Sequence, residues 1–359
     1  MNAGGWTEFV FATAPGFAEA ALDVTALDFV NCCLRGAGQV MFMNNPLTGA
    51  IVIAALLYQS LFSGLMGVVA LLASTLTAYA LQVDRGAIRS GLFGFNGYLV
   101  GLAMGTFDVN IHEQGSVWQF CSLGVVCCLI SAFSVIIAIA LGNLLAPVYA
   151  VPAFTLPFNF AALLFFATAM NSRAFAVPFA QGLLPDSMGA VPWTACLPNV
   201  TTDLINATAA AAAEDVDVYE VSWLRVLEAV PKGIGQVYLA DNTVSGTAIT
   251  VGLAICSPTS ALMAVLGSVL GTATGLLMQA PLESVYLGLW GYNAVLGCMA
   301  IGGMFFYPTK SAFVLASLCA VMCAFVGGAL GTMFTPSGLP TLTLPFCLGT
   351  LAFALLQDS

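Results

Sequence analysis

The sequence predicts an all-α polytopic membrane protein built from two related halves, and three observations carry that prediction. Hydrophobic residues make up 60% of the chain and charged residues only 7%, against about 25% charged in an ordinary soluble domain. Residues 36–83, 114–172, 242–282 and 311–357 contain no Asp, Glu, Lys, Arg or His. Motifs of the first half also return, in the same order, in the second.

A soluble fold of 359 residues could not cover its surface with so few charges, so its apolar side chains must face lipid. At about 20 residues per bilayer crossing, the charge-free stretches together with 90–107 and 284–309 hold roughly ten helices. No basic segment precedes an apolar stretch before Arg35, so no cleavable signal peptide is expected. Next comes a polar stretch, Asp108 to Glu113, which holds the chain's one histidine, His112, and reads as a loop. The region 181–222 is the most polar. It carries the acidic patch Glu214 to Glu220, a run of alanines and the sequons at Asn199 and Asn206, and it reads as an extramembranous linker. The organisation expected is therefore a first membrane repeat at 1–180, a polar linker at 181–222 and a second membrane repeat at 223–359.

The repeat is explicit. Gly36 to Gly49 returns as Gly233 to Gly246, with Gly36, Gly38, Gln39, Val40, Asn45 and Gly49 identical in both copies. Gly91-Leu-Phe-Gly-Phe-Asn96 returns as Gly288-Leu-Trp-Gly-Tyr-Asn293 at the same offset of 197, and Thr155-Leu-Pro-Phe158 returns as Thr343-Leu-Pro-Phe346 at 188. The shared residues are Gly, Gln, Asn, Pro and Thr, which general hydrophobicity does not explain. Five spans per copy would invert the second half relative to the first. The sequons, if used, would put the linker outside the cell.

The chemistry follows from what these motifs offer and from what is missing. Glycine-rich backbone with Asn and Pro is tolerated at membrane depth where protein or water surrounds it, so the Gly36–Gly49 segment and its copy read as a re-entrant half-helix followed by a break. Gln39 and Gln236 put a costly amide at the same place in each half. It is either an interhelical hydrogen bond or a group facing a solute. Phe42, Phe95 and Leu99, with Leu239, Tyr292 and Leu296, place flat or apolar side chains beside the polar motifs. Thr155 and Thr343 each precede a proline, and related by pseudo-symmetry they would meet near the bilayer centre. The long apolar runs contain no carboxylate for ion coupling, no charged ring forms a filter, and no nucleophile–base pair or metal set suits an enzyme. Eleven cysteines lie mostly in apolar stretches, where they read as packing residues. No cofactor or metal is expected, and the acidic balance argues against nucleic acid. Passive conduction of a small neutral solute remains.

The Arg35–Gly49 segment, the paired Gly-Leu-aromatic-Gly-aromatic-Asn motifs and the paired Thr-Leu-Pro-Phe motifs resemble the urea transporter family, from about Asp28 to the C-terminus. The resemblance implies two inverted halves of five spans and one re-entrant helix each, and a homotrimer with one pore per protomer in the plasma membrane. It implies urea as permeant, Gln39 and Gln236 at the two mouths, and an apolar slot made by Phe42, Phe95, Tyr292, Leu99, Val237 and Leu296, with Leu239 beside it. Thr155 and Thr343 would line the central constriction. Another small neutral solute, such as ammonia or a short amide, is the alternative. Two departures bear on selectivity: Thr243 replaces the family's proline, and Tyr292 stands where phenylalanine is frequent.

Overall fold

The structure is a computed structural model that describes residues 26–107, 117–170 and 219–358. The His112 loop, both sequons and nearly all of the expected linker lie outside the described residues. Every regular element among the described residues is helical. The first set comprises α1 (Ala26–Gln39), α2 (Pro46–Gln59), α3 (Leu61–Ala80), α4 (Arg85–Arg89), α5 (Phe95–Phe107), α6 (Val117–Tyr149) and α7 (Leu156–Ala169). The second comprises α8 (Trp223–Gly235), α9 (Thr243–Cys256), α10 (Pro258–Leu277), α11 (Leu282–Tyr286), α12 (Tyr292–Met299), α13 (Lys310–Phe334) and α14 (Leu344–Ala354). α8 ends in a 3₁₀ turn at Gln236–Tyr238, and α12 runs on as a π-helix over Ala300–Phe305.

The two sets correspond helix by helix, and the backbone repeats down to its unusual dihedrals. Left-handed Phe42 (φ 62°) is matched by Leu239 (φ 60°), and Gln82 (53°) by Gln279 (49°). Ala150 (53°) is matched by Gly338 (63°), and Phe154 (48°) by Leu342 (49°). Positive φ is uncommon for residues with a Cβ, so its recurrence at equivalent positions marks breaks held by surrounding structure. Each Gln-containing break closes in the same way. The amides of Phe42 and Leu239 donate to the carbonyls of Gln39 and Gln236, and Asn45 and Asn242 cap the next helix through their side-chain oxygens.

Four of the described helices are long and apolar enough to cross a bilayer alone, or up to five crossings if the bent pair α8–α9, which turns by 75°, counts as one. α2, α7, α12 with its π extension, and α14 are shorter. At 1.5 Å per residue a 14-residue helix is about 21 Å long, less than the ~30 Å hydrocarbon core. Such helices are positioned by their neighbours. The central residues of α5, Asn96 to Gly105, are all buried, as are Asn293 to Met299 of α12. α6 and α13 instead lie outermost. Leu129, Phe133 and Ile136 on one, and Leu318, Met322 and Phe325 on the other, are exposed at helical spacing. In water this stripe would be an aggregation surface; against lipid tails it is the expected face.

α2 and α9 join the halves through reciprocal bonds. The Thr48 hydroxyl donates to the Gly252 carbonyl at 2.8 Å, and the Ser245 hydroxyl donates to the Ala55 carbonyl at 3.0 Å. Thr48 and Ser245 are equivalent positions, as are Ala55 and Gly252. The contact is therefore self-complementary, as at a two-fold axis, and the start of each helix meets the end of the other.

Candidate functional site

The centre of the molecule is built from the starts of α7 and α14. Thr155 and Thr343 are their N-cap residues, a position where Thr normally accepts from an amide of its own first turn. Neither does so. Asn96 and Asn293 do the capping instead, each accepting through Oδ1 from a first-turn amide, Phe158 and Phe346 respectively, at 3.1 Å. Pro157 and Pro345 have no N–H to satisfy. The threonine hydroxyls, released from local duty, meet across the pseudo-axis at 2.7 Å. Both threonines are buried, at 2% and 3% exposure.

Two further groups complete this cluster. Asn159 Nδ2 donates to the Thr155 carbonyl at 2.8 Å and to Thr343 Oγ1 at 3.0 Å. Cys347, at the equivalent position of α14, brings its sulfur within 3.2 Å of Thr155 Oγ1. The cluster is thus symmetric in its hydroxyls and asymmetric in the next turn. Aromatic rings crowd one side of it. Phe346 stands edge-on to Phe154, with ring centres 5.2 Å apart, and edge-on to Phe42 at 6.3 Å. Phe154 meets Phe305 at 5.5 Å.

The glutamines lie where α1 and α8 end. Gln39, buried, donates through Nε2 to the Ser90 carbonyl at 2.8 Å, and Gln236, half-buried, to the equivalent Leu287 carbonyl at 3.0 Å. Both amide nitrogens therefore satisfy the C-terminal carbonyls of the short helices α4 and α11, a bond between elements that the sequence allowed. Phe95 and Tyr292 are half-buried at the starts of α5 and α12, while Leu99, Leu296 and Val237 are fully buried. The Tyr292 hydroxyl donates to the Leu342 carbonyl at 2.7 Å, which holds the left-handed turn just before Thr343.

Gln236 and Leu239 also line a cavity of about 330 Å³ with Gln59, Ser63, Thr106 and Asp241. Gln59 Nε2 donates to Asp241 Oδ1 at 2.6 Å. Asn44, which is the first-half counterpart of Asp241, is buried and receives Arg35 through Nη1, on its carbonyl at 2.9 Å and on its Oδ1 at 2.7 Å. One end of the molecule thus carries a carboxylate where the other carries an amide held by a guanidinium.

A family model described as urea transporter matches residues 30–358. The chain belongs to the urea transporter family. Urea transporter 1 of Ovis aries is 35% identical over 332 residues, which is 92% of this chain and 78% of the relative. Urea transporter 1 of Rattus norvegicus is 35% identical over 92% of this chain and 77% of its own length. The family member described here is a membrane protein, and its motifs converge in space. The structure brings Thr155 and Thr343 together, with Phe42 in the adjoining aromatic cluster. Gln39 and Gln236 are at the equivalent breaks, and Leu239 and Gln236 share a cavity. Reasoning from sequence missed the capping by Asn96 and Asn293, the rings of Phe154 and Phe346, and Asn159. The last was within reach, because Thr-Leu-Pro-Phe is followed by Asn159 in one half and Cys347 in the other, a polar residue in an otherwise apolar run.

Proposed function

We propose that this protein is a passive, channel-like conduit for urea, not coupled to ions, with the solute crossing between its two halves at the Thr155–Thr343 pair. The single observation that carries this reading is that hydroxyl pair, buried on the pseudo-axis of a member of the urea transporter family. A neutral amide exchanges hydrogen bonds with hydroxyls and carbonyls, whereas an ion entering so apolar a surround would lose hydration it could not recover.

In this reading urea moves edge-on along a slot formed by Phe42, Phe95, Leu99, Tyr292, Leu296 and Val237, with Leu239 at one side. Its N–H groups donate to exposed carbonyls at the breaks. Gln39 and Gln236 stand at the two mouths, each with Nε2 committed to the fold, so that contact with the solute falls to Oε1. The self-complementary α2–α9 contact supports two inverted repeats, residues 1–180 and 223–359 joined by the 181–222 linker, and a count near ten crossings once the shorter helices are included. A homotrimer in the plasma membrane, one conduit per protomer, is the assembly we assign to it by family.

The test is urea flux into proteoliposomes by stopped-flow light scattering, beside Thr155→Val and Thr343→Val. Fast, saturable flux that ignores ion gradients and drops in both variants supports the reading. Flux no faster than protein-free liposomes, from folded protein, overturns it and makes ammonia or a short amide the next permeant to assay.

A further inference from the structure

The polar cluster at the centre is fully satisfied except for one atom. Asn159 is 1% exposed. Its amide orientation is determined by its partners, since the Thr155 carbonyl only accepts and must face Nδ2. Nδ2 also reaches Thr343 Oγ1 and, at 3.7 Å, the Cys347 sulfur. With Asn159 donating to Thr343, the simplest ordering has Thr343 donate to Thr155, and Thr155 to the Cys347 sulfur. Every hydroxyl proton then has an acceptor. The Asn159 carbonyl oxygen, Oδ1, is buried and has no hydrogen-bond partner. An orphaned strong acceptor in such a place is costly to the resting protein. The equivalent position in the other half holds Cys347, whose sulfur is only a weak acceptor, so nothing on that side duplicates it.

We infer that Asn159 is a selectivity residue of the constriction, whose orphaned Oδ1 accepts an N–H of the permeating amide while the Thr155–Thr343 bond opens to admit it. This rests on the urea reading above and deepens it. A buried acceptor discriminates strongly against solutes without a donor, because such a solute leaves it unpaired. It also makes the contact one-sided at a constriction that is otherwise two-fold.

The test uses the full chain in proteoliposomes with urea as probe. Asn159→Cys installs the residue that the other half already carries at that place, and Asn159→Cys with Cys347→Asn moves the amide across the axis. The single variant should raise the half-saturating urea concentration about tenfold with maximal flux retained within a few-fold, as expected when a binding contact is lost, and the double variant should restore it. A half-saturating concentration unchanged in Asn159→Cys overturns the proposal and leaves Oδ1 to an ordered water. Loss of maximal flux alone, with saturation unchanged, overturns it in favour of a structural role. Wild-type liposomes without urea flux overturn the urea reading and this one together, and that control separates the two failures.

Discussion

At the scale of single residues, the chemistry at the centre depends on who caps the helices. Thr155 and Thr343 keep their hydroxyls for each other because Asn96 and Asn293 take the first-turn amides of α7 and α14. Replacing Asn96 by Leu leaves the Phe158 amide buried without a partner. The expected loss is about 1–3 kcal/mol of stability, measured as a lower unfolding midpoint in detergent. Asn293→Leu should lose a similar amount, since its bond has the same length. Tyr292→Phe removes one of the bonds on the Leu342 carbonyl, to which Asn293 Nδ2 also donates at 3.4 Å. We expect a loss of about 1 kcal/mol, with urea flux retained; flux lost in folded Tyr292→Phe would give the phenol a direct part in conduction. The paired threonines were legible in the sequence because they sit in a repeated motif. The capping was not, because whether Thr or a distant Asn supplies the acceptor is decided by contacts 53 and 62 residues apart.

At the scale of elements, close approach governs the interior. Gly97, Gly101 and Gly105 line one face of α5 against α3, and a Cβ on Gly101 would overlap the Met66 carbonyl. In the second half the run of glycines spaced by four is on the other helix of the pair, while small residues remain on both. Gly267, Gly271 and Gly275 belong to α10, the counterpart of α3, and face Ala294 and Trp290. Spacing of small residues by four is the usual means of close packing in membranes, and here both helices of each pair supply small residues at the contact. Gly101→Val should therefore prevent folding, seen as loss of the monodisperse peak in size-exclusion chromatography. On the periphery, Arg225 and Glu283 join α8 to α11 at 2.7 Å, both about half exposed. The guanidinium holds the Glu283 carboxyl below its usual 4.5. Its contribution is therefore complete above the ordinary glutamate range and fades only as pH falls through that lowered value. An exposed pair of this kind contributes at most about 1 kcal/mol. Glu283→Gln should shift the unfolding midpoint slightly at neutral pH and not at all at acid pH.

At the scale of the whole molecule, the correspondence of the two halves was readable from three motifs, and the helices that begin within them, α2 and α9, α5 and α12, and α7 and α14, are equivalent pairs. Less legible was how the halves meet. The bonds between Thr48 and Gly252, and between Ser245 and Ala55, connect residues 204 and 190 apart, and no local periodicity encodes them. Nor did composition reveal that several apolar segments form helices too short to cross alone, because a hydrophobic count does not register where a chain bends. The reciprocal contact predicts matched effects. Thr48→Val and Ser245→Ala should lower the unfolding midpoint by similar amounts, about 1 kcal/mol each, and additively, as for independent bonds. Unequal losses would show that the two halves do not share the load at their axis.

The broken symmetry at the two ends has a kinetic consequence. In the conduit proposed above, Asp241 with Gln59 at one end and Asn44 with Arg35 at the other make the two approaches chemically different. Detailed balance forbids an uncoupled conduit from rectifying at equilibrium. The quotient of maximal rate over half-saturating concentration must be the same for entry from either face. Unequal ends therefore express themselves as a trade: the side that binds urea more tightly saturates earlier and delivers a proportionately lower ceiling. A cell that meets steep urea gradients would then have a conduit whose throughput depends on which face the high concentration bathes, although neither direction is favoured.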